Sequence, residues 1–274
     1  MKAMMNPFRE REMKTYIIGM FLASVLALPT AGAWADGNGN TCSQLPDHAS
    51  LKLALENVVT LGGNGGFGND MWGTLVNRDG VVCAVAFTGD DRDDQWPGSR
   101  VISAQKANTA SAFSLKGAYP NVPVGRALSS GNLYGLVLPG GSLFGLQFSN
   151  PVSPNAAYDG NSSNYGRPND PMVGRKIGGV NVFGGGLAAY DESGEIIGAL
   201  GVSGDTACTD HIIAWQVRDA LGIDNIPGGV GTGGTTDNLI LNNPPTPNSF
   251  DHPSCGFGED PIIADLPSNF PIGP

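Results

Sequence analysis

Apolar and polar positions along the chain change period several times, and the changes mark its elements. Between Asp47 and Leu61, Leu51, Leu55 and Val58 recur with Ala54 and Leu61 beside them. This is the stripe of an amphipathic helix, which Gly62-Gly63-Asn64-Gly65-Gly66 must end. The β-rich runs Met71–Val76 and Val81–Phe87 flank a turn closing on Asp79-Gly80, which predicts a hairpin. An acidic loop follows from Gly89 to Gly98. Ser99 is then a candidate N-cap for a second helix marked by Ala104, Ala107, Ala110 and Phe113, whose alanines predict very close packing. Residues 117–176 predict a short helix near Val124–Ser130 and then a long ordered loop, uncommon unless functional. The β pattern returns in Val180–Phe183, Gly186–Tyr190 and Glu195–Val202. Asp210 caps a final helix with the stripe Ile213, Val217, Ala220 and Leu221, and Gly222 followed by Ile223 is its natural stop. Residues 224–274, with nine prolines, read as an extended tail.

Strands joined by short turns are antiparallel, and a sheet of five needs both apolar faces covered. The order predicts a single α+β domain: a five-stranded antiparallel sheet with helices on both faces.

The first 35 residues change the compartment. Lys2, Arg9, Arg11 and Lys14 precede an apolar run from Ile17 to Leu28, too short for a bilayer of about 30 Å. Ala33-Trp34-Ala35 supplies small residues for cleavage, so residues 1–35 read as a signal peptide and the protein as periplasmic or secreted. No later stretch is apolar enough to insert into a membrane. Cys42, Cys83, Cys208 and Cys255 all follow the cleavage point, and four cysteines in an oxidising compartment predict two disulfides. None forms CxxC, which disfavours a zinc ribbon, a thioredoxin-like motif and covalent c-type haem.

Charge excludes more. The chain carries −10, and signal cleavage leaves −12. Without a basic stripe there is no footprint for nucleic acid or for anionic lipid. Glycine is 41 of 274 residues, about twice the usual share, and signals tight backbone approaches. Neither a Walker A motif nor a strand–GxGxxG–helix unit is present, and Gly201-Val202-Ser203-Gly204-Asp205 lacks the second glycine of a nucleophile elbow. Asp90-Asp91-Arg92-Asp93-Asp94 offers carboxylates to a hard cation, without EF-hand spacing; a solvated loop is the simpler reading. His48, His211 and His252 do not pair at zinc-ligand spacing.

Several separate motifs, in order, resemble one family. They are the Asp79-Gly80 hairpin, Lys106-Ala107 with Thr109-Ala110 in the second helix, and Gly178-Gly179-Val180. The segment from Gly194 to Gly204 and then Asp210 complete the set. Over roughly residues 48–222 the chain is similar to GlcG/HbpS-like haem-binding and haem-degrading proteins, and 36–223 reads as that domain with an insertion around 117–176. The resemblance implies a profilin-like fold, homo-oligomers and haem or another tetrapyrrole as cofactor. Lys106 would pair a haem propionate, with Thr109 beside it in the same motif, and His211, following the matched glycine segment, would ligate iron. The first helix runs back along the first strand, which sets Cys42 beside the hairpin turn and Cys83. In the profilin-like arrangement the last strand pairs with the first, so the final helix starts at the opposite end of the sheet. The pairing this implies is Cys42–Cys83 and Cys208–Cys255.

The function implied is an exported haem-binding protein for capture, sensing or protection. The alternative is a cofactor-free interaction or accessory module of the same fold. Peroxide-dependent haem degradation ranks lower, since the residues show no acid–base constellation.

Overall fold

The computed structural model describes residues 42–116, 126–231 and 234–273, all within the unit Asn40–Pro274. The expected signal peptide lies outside these residues.

Helix α1 (His48–Leu61) begins where Asp47 accepts from the Ser50 amide, and ends where Gly62 turns to φ +68°. Strands β1 (Trp72–Asn77) and β2 (Val82–Phe87) form the expected hairpin, and β2 leads to helix α2 (Ser99–Phe113). Gly98, not Ser99, holds the N-cap of α2, and no side chain caps it. The segment to Lys176 carries three single-turn helices: α3 (Tyr134–Val137), α4 (Leu146–Ser149) and α5 (Pro154–Ala157). The helix expected at Val124–Ser130 falls partly outside the described residues. Its described part is extended up to a 3-10 turn at Ser130–Leu133.

Strands β3 (Gly186–Tyr190) and β4 (Ile196–Ser203) complete one antiparallel sheet in the order β2-β1-β4-β3, with β4 paired to β1 as anticipated. The sheet has four strands, not the expected five. Val180–Phe183 alternates like a strand but runs alongside α2 instead. The Thr109 hydroxyl accepts from the Asn181 amide, and Val180 and Val182 pack on Leu133. Gly178 and Gly179 before it and Gly185 after it take positive φ.

Helices cover both faces. α1 and helix α6 (Ala207–Ala220) bury Leu51, Leu55, Ile212 and Trp215 against Leu75, Leu187 and Leu200. On the other face, α2 buries Val101, Ala104, Ala107 and Ala110 against Val76, Val85 and Ala199. Small residues let it lie close: a Cβ at Gly201 would meet the Ser103 carbonyl and the Ala107 amide, and one at Gly186 the Lys106 carbonyl.

α6 starts at Thr206, whose side chain accepts from the Thr209 amide, so Asp210 is not its cap. Its end is as expected. The Gly222 amide donates to Asp219 and that of Ile223 to Arg218, with Ile223 buried. The C-terminal segment is more than an extended tail. It contains a two-residue parallel ladder, β5 (Ile240–Leu241) with β6 (Asp251–His252), and helix α7 (Glu259–Asn269). α7 buries Ile263 and Leu266 in the core containing α1 and α6. Two disulfides tie the ends down as anticipated, Cys42–Cys83 and Cys208–Cys255.

Candidate ligand cleft between helices α2 and α6

At the end of the sheet where Ser203 of β4 faces Trp72 of β1, α2 and α6 leave an open cleft of about 260 Å³. α2 contributes Ser99, Ile102 and Lys106, spaced so that all three share one helix face. Ser203 and Asp205 close the strand end, and Ala207 and Asp210 come from the first turns of α6. Trp96 and Phe183 form the lips, with 53% and 45% of their surfaces exposed.

The cleft floor is an ion pair. Lys106 Nζ donates to Asp210 Oδ2 at 2.5 Å and to the Val202 carbonyl at 3.1 Å, with both side chains almost wholly buried. Asp210 Oδ1 accepts from the amides of Gly204 and Asp205. Burial pushes Asp210 up to about 6, against the Lys106 charge and hydrogen bond that pull it down. Burial likewise lowers Lys106 from the usual lysine value. Asp205 spends its carboxylate on the amides of Phe67, Asn69 and Thr206. Backbone amides therefore absorb much of the negative charge, and two of the ammonium's three donors go to Asp210 and Val202 O.

Of the three residues expected at the site, Lys106 alone reaches this cleft. Thr109 lies two turns beyond Ile102 along the same side of α2 and outside the cleft lining, donating to Gln105 O and accepting from the Asn181 amide. His211 is fully buried beside Trp215. Its Nε2 meets Asn238 Oδ1 at 3.1 Å, its Nδ1 finds no hydrogen-bond partner, and burial lowers it to about 3. The other histidines are engaged elsewhere. His252 is buried and bonded to Pro253 O, with burial lowering it to about 4. His48 Nε2 bonds Gly166 O.

The Asp90–Asp94 loop turns carboxylates onto its own amides, Asp94 to Asp91 and Asp91 to Asp93. Among the described residues no cluster of three metal-ligating side chains occurs. A second cavity of about 210 Å³ lies across the first turn of α2, beside the buried Arg100–Asp170 pair under Tyr165. No helix among the described residues is long and apolar enough to cross a membrane.

The sequence patterns of known families decide the assignment. The model described as "Haem degrading protein HbpS-like" matches residues 74–218, more than half the chain. The chain belongs to the HbpS-like family. That span includes every residue that lines the cleft. No curated protein matches this HbpS-like chain. Among solved structures it is similar to protein ORFY of Klebsiella pneumoniae, a DUF336 protein, at 21% identity over 67% of this chain and 90% of that one, TM-score 0.41. It is also similar to PduOC in a haem complex, at 20% identity over 67% and 93%, TM-score 0.42. The third is HbpS, at 13% identity over 70% and 96%, TM-score 0.39.

Sequence reasoning missed the lips. The face of Ser99, Ile102 and Lys106 was also missed, although its helical spacing is a signal that could have found it. Trp96 and Phe183 sit in loops, where only tertiary placement brings them together.

Proposed function

We propose that this HbpS-like protein is exported and binds haem or a related tetrapyrrole in the α2–α6 cleft, for capture, sensing or protection. The observation that carries the reading is the cleft itself, with aromatic lips open to solvent above a floor where Lys106 pairs with Asp210. Sites that enclose a drug-sized ligand span about 300–1,000 Å³. A cleft of about 260 Å³ admits an edge of a macrocycle, with the remaining ring face lying on Trp96 and Phe183. A propionate on that edge would accept from Lys106. Two disulfides support an oxidising compartment. Degradation is not part of this reading, because the cleft lining offers no imidazole, thiolate, thioether or tyrosinate.

Haemin titrated into the purified protein tests it. A saturable, shifted Soret band at micromolar haemin is expected, weakened in Trp96→Ala and Phe183→Ala. No saturation would favour the second reading, a cofactor-free interaction module, for which the small cleft and the completed Lys106–Asp210 pair speak.

We also propose a homo-oligomer, built through faces other than the sheet edges. The chain covers both edges itself: β2 through Val82 N to Arg175 O, β3 through Tyr190 N to Ile223 O. Light scattering that finds only monomer would remove this proposal.

A further inference from the structure

Haem iron is held by imidazole, thiolate, thioether or tyrosinate ligands, and none of these groups lines the cleft. Cys42, Cys83, Cys208 and Cys255 are in disulfides. Met71 and Met172 are fully buried in the two cores that flank the sheet. His211 and His252 are buried, and His48 is tied to Gly166 by its Nε2. The cleft lining contains none of them. What it does contain is two exposed aromatic faces, the apolar Ile102, and one ammonium donor set among hydroxyls and amide-bound carboxylates.

We infer that the cleft recognises the ring face and a carboxylate of a planar tetrapyrrole and is indifferent to its metal, so that metal-free porphyrin is a ligand equal to haem. The inference rests on the proposed tetrapyrrole-binding reading. The residues fit the organic part of haem and do not fit its iron. Binding energy comes from apolar contact on Trp96 and Phe183, which the ring supplies with or without a metal. Affinity would therefore be set by the macrocycle, with no side chain of the cleft lining ligating the iron of bound haem.

The test titrates the full chain separately with protoporphyrin IX and with haemin, following quenching of tryptophan emission. Trp72 and Trp215 are buried, so Trp96 is the exposed reporter among the described tryptophans. The expected result is two dissociation constants within about threefold of each other. Phe183→Ala, followed by the same quenching, and Trp96→Ala, followed by the ligand's Soret band because that variant lacks the reporter, should each weaken both ligands about tenfold, and these exposed side chains can be removed without opening the core. The haemin Soret band should be unchanged in His48→Ala, which removes the most accessible imidazole. Haemin binding more than about tenfold tighter than protoporphyrin, or a low-spin spectrum lost in a histidine variant, would overturn the inference and leave the tetrapyrrole reading standing. Binding of neither ligand would overturn both.

Discussion

Lys106→Met removes the cation under the cleft while keeping most of its apolar stem. In the native protein the ammonium lies 2.5 Å from Asp210 Oδ2, and both partners are almost wholly buried. Without it, Asp210 keeps the amides of Gly204 and Asp205 but no counter-charge. Removing one partner of a buried pair costs about 3–5 kcal/mol. In a domain of this size that lowers Tm by roughly 6–20 °C. The loss depends on pH. Burial already raises Asp210 to about 6, and loss of Lys106 raises it further. A carboxyl whose folded pKa is raised contributes stability at low pH that is lost as pH rises through that value. Lys106→Met should therefore be most damaging at pH 8 and partly restored at pH 5. Adding Asp210→Asn removes the charge and leaves an oxygen for the two amides, so the double variant should recover most of the loss at pH 8. Urea denaturation of the wild type and both variants at the two pH values measures each quantity. Equal, pH-independent losses in the single and double variants would refute the electrostatic account and leave Lys106 a packing residue.

Other outcomes follow from the same structure. His211 and His252 are lowered by burial to about 3 and about 4, so they stabilise fully above about pH 6.5 and lose that contribution as pH falls towards 4. Asp210 works in the opposite direction over part of this range. Denaturation midpoints should still fall between pH 7 and 4, less steeply in His252→Asn; a flat profile in the wild type would contradict the buried neutral imidazoles. Replacing Cys208 and Cys255 together by Ala opens a loop with a separation of 47 residues and should cost about 4 kcal/mol by loop-closure entropy, read by calorimetry. Gly201→Ala drives a Cβ into the backbone of α2 at Ser103 and should cost about 1–3 kcal/mol; an unchanged midpoint would mean that α2 moves away without loss.

Much of the fold was legible because its signals are local. The stripe of α1, the Asp79-Gly80 turn and the Gly222 stop each depend on neighbours within one turn. The disulfide pairing needed only those elements and the profilin-like strand order. The fifth strand failed because alternation in Val180–Phe183 is shared by strands and by extended segments pinned by side chains, here Thr109. Helix α7 was hidden by proline: Pro261 sits in its first turn, where proline is tolerated, and Pro267 lies inside it, near its end. Lys106 was found as a member of a motif, but its pairing with Asp210 joins positions 104 residues apart. His211 stands in the last helix as read, but its burial there is a tertiary fact. A lone histidine after a matched segment reads the same whether it faces a cleft or the core.

A crystal structure of the protein grown with protoporphyrin IX tests the central claim most directly. The account predicts a macrocycle lying against Trp96 and Phe183 with a propionate oxygen at Lys106 Nζ. A macrocycle bound away from the α2–α6 cleft, or one in the cleft with its propionates turned to solvent, would contradict it.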